Sequence, residues 1–532
     1  EQVAGHFREY FGGVEHLPPV LMLGVKAGGM LGSLGGNMLA KALSYNIHRM
    51  AGQFIIGENT EEAVRSVGRL RSKGFACTID VLGEAALSPG ETKDYVASYL
   101  ELISTMQAAQ KGWPTLARGD GDPEMDWGVA PQINISIKPS ALCPFCDPRD
   151  FNGSVEAILN ELEPIVQTVK RCNGFLCIDM ESTRMKNITL ELYRRTRRAH
   201  PDYPHIGVAL QSYLRETDRD LAELLAWSDQ ERLPISLRLV KGAYWDYEVA
   251  KARQNGWEAP VWMMKAETDA AFERHARMIL ESRLCSFACA SHNIRSIAAV
   301  LELAQNSGVP ENRVEFQVLY GMAEPVRRVL LRETGRVRLY SPYGRMVPGM
   351  GYLVRRLLEN SSNESFLRRS FSDREDRERL LEDPAVTAQR GLAQKQSCAG
   401  QQAGEMFSNE AAPDFTRQEL RDLFTRNLAA ARARMPALSP LFINGRDIST
   451  TRLFDSLNPA NPGEVVGRSC SAGIGDASAA VDAARAAFPS WRDTPAQMRA
   501  ETLQRAAAIA RRRLVELAAW QVLEIGKQWD QA

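Results

Sequence analysis

ISLRLVK, residues 235–241, is the stretch from which the fold is read. It is short, with Ile235, Leu237 and Leu239 on one face, Ser236, Arg238 and Val240 on the other and a lysine at its end; several of the runs like it are apolar on both faces. That is the signature of a strand buried in a parallel sheet. Seven more runs of this kind recur: FACTIDVL (75–82), INISIK (133–138), FLCIDM (175–180), IGVALQ (206–211), SFACAS (286–291), VEFQVL (314–319) and RVRLYS (336–341). Amphipathic stretches of helical period separate them, among them SVEAILNELEPIVQTVKR, TLELYRRTRRAH and DAAFERHARMILESR. Eight alternating units over roughly 280 residues predict an α/β fold of the (β/α)8 barrel type, whose usual size is about 250 residues. A doubly wound open sheet is the alternative, but no GxGxxG follows an early strand.

The polar residues fall in step with this frame. Asp80, Lys138, Asp179, Gln211, Arg238 with Lys241, and Tyr340 lie at or just after the C-terminal ends of the runs. Barrel enzymes place their chemistry at that end. A single one would be a strand end turning towards water; so many in register point to a site. The run YLVRRLLEN (Tyr352 to Asn360) carries a second signal. On a helix, Tyr352, Arg355, Arg356 and Glu359 share an arc of about 100°, with the leucines and Val354 opposite. Two adjacent guanidinium forks hold a small carboxylate better than one. The plain alternative is a solvated helix face.

Bulk properties bound the rest. With 532 residues, two or more domains are expected. Lys+Arg and Asp+Glu both number 65, so charge makes no case for a nucleic-acid partner. No apolar run reaches the ~18 residues of a membrane span. The 9 cysteines are an odd number and mostly scattered in apolar runs, which fits reduced thiols in a cytoplasmic protein. Cys143 and Cys146 have CxxC spacing without a second pair, so a loop is favoured over a metal or redox role, and no metal is expected. Residues 1–60 read as a helical arm whose GGMLGSLGGN lacks the Lys-Ser/Thr of a phosphate loop. The barrel is expected over 61–373, a linker and helix over 374–440, and the opening part of a second α/β domain over 441–532. The absence of an initiator Met and the abrupt end suggest a segment of a longer polypeptide.

RLVKGAYWDYE (Arg238 to Glu248) packs cations, a glycine and aromatic rings after a strand, either as an aromatic plug or as a cofactor ledge. Together with SIKPSAL, SHN (Ser291 to Asn293), FQVLYGMAEP and YLVRRLLENSSNESF, it resembles the flavin-dependent proline dehydrogenase family. FINGRDI, LNPANPGEVVG and LEIGKQWDQA resemble the start of an aldehyde dehydrogenase, and the order of the two resembles the bifunctional proline utilization A enzymes. The resemblance runs from about residue 40 to the end. CPFCDPRDF and QKGWPTLARGDGDPEMDWGVAPQ depart from it, and are expected to reshape the barrel rim or an oligomer contact.

The resemblance implies FAD in the barrel and L-proline as substrate. By motif match, Arg355, Arg356 and Lys138 would pair with the proline carboxylate. Tyr340, Tyr352, Tyr244 and Leu319 would enclose the ring. Glu84 would pair with the first arginine as a gate. Arg238 and Gln211 would bond the isoalloxazine, while Lys241 and His292 would face phosphates and ribose. Asp179 would stand behind them. Val240, Gly242, Ala243, Tyr244, Trp245, Asn293, Gln317, Leu319 and Glu359 complete the implied cofactor set. The expected reaction is hydride transfer from the ring carbon beside nitrogen to flavin N5, giving Δ1-pyrroline-5-carboxylate, with activity rising towards the pKa of the bound amine. Electrons would pass to a membrane quinone, through peripheral contact of a cytoplasmic homo-oligomer with the inner membrane. NAD belongs to the aldehyde dehydrogenase half, which needs a nucleophilic Cys and a complete NAD site; Cys470 lies too near the domain start and reads as structural. The rival reading is a Schiff-base aldolase using Lys138 or Lys241.

Overall fold

Each apolar run becomes a barrel strand, and the predicted limits hold to within two residues. The strands are β1 (Ala76–Val81), β2 (Asn134–Ile137), β3 (Phe175–Ile178), β4 (Ile206–Gln211), β5 (Ile235–Val240), β6 (Cys285–Ala290), β7 (Val314–Leu319) and β8 (Val337–Tyr343). The computed structural model describes residues 52–83, 85–116, 122, 124–345, 378, 381–398 and 409–532. The eight strands are parallel and form a closed barrel. Closure comes from β1, which pairs β8 with Ala76 opposite Arg338 and Val81 opposite Tyr343, and pairs β2 with Ile79 opposite Ile135.

Side chains alternate across a strand. Ile79, Ile135, Ile137, Leu176, Ile178, Leu237 and Leu239 belong to the apolar core around the barrel. The surrounding helices include α1 (Thr60–Arg71), α2 (Pro89–Gln110), α3 (Phe151–Arg171), α4 (Thr183–Ala199), α5 (Thr217–Glu231), α6 (Trp245–Asn255), α7 (Lys265–Glu281), α8 (Ile294–Asn306) and α9 (Glu324–Thr334). Local chemistry starts several of them. Asn59 caps α1, Ser88 caps α2 with proline in the first turn, and Asn293 caps α8. A further helix, α10 (Pro384–Cys398), packs on α7.

Of the long stretch before β2, the residues from Met125 to Pro131 lie at the N-terminal end of the barrel, beside Arg71 and Arg338. Met125–Asp126 and Ala130–Pro131 form a short antiparallel ladder. This folds Asp126, which is fully buried, between Arg71 (2.8 Å) and Arg338 (3.3 Å). Arg338 also pairs with Glu315 at 3.1 Å and lies over the Trp127 ring. These charges stopper the barrel floor. At the other end, 54–57 runs along the edge of β8, with Ile56 N–H donating to Pro342 and Gly344 N–H donating to Gly57. Phe54 and Ile55 pack with Leu82 and Met322 there. The rest of the expected N-terminal arm and GGMLGSLGGN lie outside the described residues.

The second compact unit runs over 408–532. It therefore begins ahead of the boundary expected at 441. The reason is α11 (Gln418–Ala433), whose Phe424 and Ala431 pack into this unit's core with α14 (Leu514–Ile525). Strands β9 (Ala437–Ser439), β12 (Leu453–Asn458) and β13 (Asn461–Cys470) make a three-stranded sheet in the order β9-β13-β12. Strands β10 (Leu441–Ile443) and β11 (Arg446–Ile448) form a hairpin. Helices α12 (Ile474–Asp493) and α13 (Ala496–Arg512) follow. Cys470 is buried and accepts a hydrogen bond from the Thr450 amide, as a structural thiol would.

Candidate active site

The inward positions of β1, β2, β3, β5 and β8 bring one polar network to the C-terminal end of the barrel. Asp179, at the end of β3, is its hub. It accepts from Arg238 Nη1 at 2.6 Å and from the Tyr340 hydroxyl at 2.8 Å, and Lys138 Nζ lies 3.8 Å away. Lys138 is paired more closely with Asp80, at 2.6 Å. Arg238 also donates to Ser136 Oγ at 2.8 Å and stacks beneath the Tyr340 ring. Asp80, Asp179, Arg238 and Ser136 are buried. Two carboxylates therefore balance two cations.

This balance bears on Lys138 in particular. A strand-end lysine needs a partner, but Asp80 supplies it before any substrate anion arrives. Burial alone would pull the Lys138 pKa down; Asp80 and Asp179 overcome it and hold the amine above the ordinary lysine value. Burial pushes the Asp80 carboxyl up, with Lys138 opposing it. Burial and both carboxylates push the Tyr340 phenol well up, so it stays a donor.

The loops after β5 and β6 form a second group. Lys241 pairs with Asp269 of α7, which also binds Lys265 at 2.7 Å and Asn293 at 3.3 Å. Burial, then Lys265, lowers Lys241 to about 8 against the pull of Asp269. Backbone bonds from Ser212 and Tyr213 to the carbonyls of Val240 and Lys241 fix the turn that follows. Gly242 has φ +136° and leaves no room for a Cβ, which would meet the Tyr213 ring at 2.4 Å. Gly242, Ala243 and Trp245 are exposed on this turn, and Tyr244 is half-buried. Trp245 is anchored by its indole N–H to the Trp262 carbonyl at 2.9 Å. His292 Nε2 accepts from the Leu319 amide at 3.0 Å, so the end of β7 holds that ring. Leu319 packs against the Phe54 cluster, and Gln317 donates to Glu315.

The structure thus brings together Lys138, Asp179, Arg238 and Tyr340 in one network, and Lys241 and Asn293 in a neighbouring one. Glu84, Tyr352, Arg355, Arg356 and Glu359 lie outside the described residues. Sequence reading gave no role to Ser136, Asp269 or Lys265, and noted Asp80 only as a strand-end residue. Ser136 had one available signal, since it stands two residues before Lys138 on the same strand face. Cys143 and Cys146 are free thiols on the loop after β2, and burial raises the Cys146 pKa.

A closed parallel barrel with a charge-balanced polar mouth defines the class of a barrel enzyme. The proline dehydrogenase model matches residues 63–369, the proline utilization A N-terminal domain model 1–54 and the aldehyde dehydrogenase family model 446–532. The chain belongs to the proline dehydrogenase family, in the segment order of proline utilization A. Bifunctional protein PutA of Salmonella typhimurium is 30% identical over 94% of this chain and 38% of its own length. Proline dehydrogenase of Deinococcus radiodurans is 28% identical over 62% of this chain and 91% of its own. Among solved structures, proline utilization A from Bdellovibrio bacteriovorus, inactivated by N-propargylglycine, aligns with a TM-score of 0.86 at 34% identity, covering 95% of this chain and 52% of that one. The chain thus spans well under half the length of the curated PutA proteins it matches.

The site's chemistry fits the flavin this family implies. Gln211 Oε1, Arg238 Nε and Gln317 Oε1 are buried without a hydrogen-bond partner, so donors and acceptors remain to be used at the barrel mouth. Gln211 is otherwise held by its amide, which donates to the Met180 carbonyl at 3.4 Å. Among the described residues, no His, Cys, Asp and Glu group is arranged to hold a metal ion.

Proposed function

We propose that this chain oxidises L-proline to Δ1-pyrroline-5-carboxylate with FAD, as the first half of proline catabolism. The Asp179-centred network at the barrel mouth carries this reading, together with membership of the family. Gln211, Arg238, Lys241, Gly242 and Asn293 would hold FAD, with Val240, Ala243, Trp245, His292 and Gln317 around them. When bound, FAD supplies the acceptor for a hydride leaving the ring carbon beside nitrogen.

The chain's own residues bind and orient. Lys138 and Arg238 are already neutralised by Asp80 and Asp179. An anionic substrate therefore needs further cations, and Arg355 and Arg356 are the residues for it. Lys138 takes the secondary role of a point charge beside the clamp. Tyr340, held as a donor by Asp179, lines the ring pocket with Tyr244, Leu319 and Tyr352, and Glu84 gates it. Fixing the substrate by its carboxylate places one C–H bond for transfer, and this positioning supplies much of the rate. The amine must be neutral to react, so kcat/KM rises with pH. A Schiff-base role for Lys138 is disfavoured, because Asp80 and Asp179 hold its amine as an ammonium and a nucleophilic lysine must be neutral; for Lys241, which is lowered but paired with Asp269, borohydride trapping with a carbonyl substrate is the check.

Electrons would leave to a membrane quinone through peripheral contact of a cytoplasmic homo-oligomer with the inner membrane. No helix among the described residues is long and apolar enough to cross a membrane. In a longer chain, the second unit would open a domain that oxidises glutamate semialdehyde with NAD.

The visible spectrum of the purified protein, followed on adding L-proline without oxygen, tests the proposal. A flavin band bleached by proline is expected. A flavin band indifferent to proline overturns the substrate, and failure to take up FAD overturns the chemistry. Replacing Arg356 with Met should raise KM for proline steeply; an unchanged KM overturns the clamp.

A further inference from the structure

Glu248 closes the motif that begins at Arg238, yet it touches neither network at the barrel mouth. It is buried in the first turn of α6, four residues after Tyr244, whose carbonyl accepts its amide at 2.9 Å. Both of its carboxylate oxygens are used by one residue on another loop. Thr183 donates its amide to Oε1 at 2.7 Å and its hydroxyl to Oε2 at 2.5 Å. Thr183 is the first residue of α4, and the Ser182 side chain at the N-cap makes no capping bond there. The cap of α4 therefore comes from a different element. An anion at a helix N-terminus meets unpaired amides and the favourable end of the helix dipole.

The four residues before Thr183 begin with Asp179. That short loop is tethered on its flanks as well: Gln211 donates to the Met180 carbonyl, and Glu181 accepts from the Ser140 amide at 2.9 Å. The Glu248 bond is the tether that reaches the turn carrying Lys241 and Tyr244.

We propose that Glu248 is a positioning residue, whose carboxylate clamps the Asp179 loop to the turn at 241–245 and so sets Asp179 against Arg238 and Tyr340. The kinetic part of this inference rests on the proline dehydrogenase reading; the clamp itself does not.

The test uses the full chain with FAD bound and the variants E248A, T183V and T183S. Two readouts are taken: kcat/KM for L-proline with a dye acceptor, and amide hydrogen exchange across 179–183 and 241–245. E248A should lower kcat/KM on the order of 10- to 100-fold, the range for losing charge-assisted hydrogen bonds. It should also speed exchange in both segments. T183V should do the same in part, and T183S should restore the parent values. Added to D179N, E248A should cost little more, because its effect runs through Asp179. Losses that simply multiply in that double variant overturn the positioning role, as does unchanged exchange at 179–183 in E248A. Should E248A fail to fold, T183V against T183S decides by the same two readouts. A parent protein that binds FAD and ignores proline removes the function proposed above, while the exchange comparison still decides the clamp.

Discussion

Asp179 serves two donors at once, and this makes it the residue whose replacement is most informative. Asp179→Asn keeps the size but leaves Arg238 buried with its counter-charge gone. Breaking such a pair by removing one member costs about 3–5 kcal/mol. If even part of that falls on the transition state, kcat/KM for proline should drop on the order of 100-fold, which steady-state assays would read directly. A different residue contributes to stability at mildly acidic pH. His275 is fully buried between Ser212 and Asp218, and burial lowers its pKa from 6.5 to about 4. The folded state therefore favours the neutral ring. The stability it contributes is present above pH 6.5 and is lost as pH falls towards 4, amounting to about 3 kcal/mol at most. Urea denaturation at pH 7 and pH 5 should show a loss in the parent that His275→Asn largely removes. At this scale the sequence announced the strand-end side chains, because a two-residue period fixes which of them share a face. It did not announce their partners. Asp269 sits in an amphipathic helix where a carboxylate is ordinary, and only its meeting with Lys241 and Asn293 marks it.

Among the elements, the strands were legible and the insertion before β2 was not. Strands declare themselves by apolar runs bounded by turns. The role of Met125–Pro131 depends on Arg71 and Arg338, which are far from it in the chain and close only after the barrel has closed. The same distance explains why α11 read as part of a linker: its apolar face is ordinary until α14 is seen against it. The floor gives a test of its own. Asp126→Ala leaves Arg71 and Arg338 buried beside each other, and should destabilise the first unit by about 3–5 kcal/mol in denaturant titration. Activity in the folded fraction should survive, because the network at the mouth does not include Asp126.

Over the whole molecule, two compact units carry unequal shares of function. The first holds the networks described above. The second matches an aldehyde dehydrogenase model from residue 446 onward, and its Cys470 is buried. Under the function proposed above, a polypeptide of residues 1–532 alone should bleach its flavin with proline and form no NADH from glutamate semialdehyde and NAD; both can be followed in one cuvette. NADH formation would show that a nucleophile and a cofactor site exist where none has been recognised.

The stoppered floor has a consequence for traffic. Asp126, Trp127 and Arg338 fill the N-terminal end of a barrel whose interior is already packed. Under the function proposed above, proline and its product would come and go at the opposite end, where the Asp179 network lies. A compound lodged at that threshold would then stand in the way of whatever arrives next.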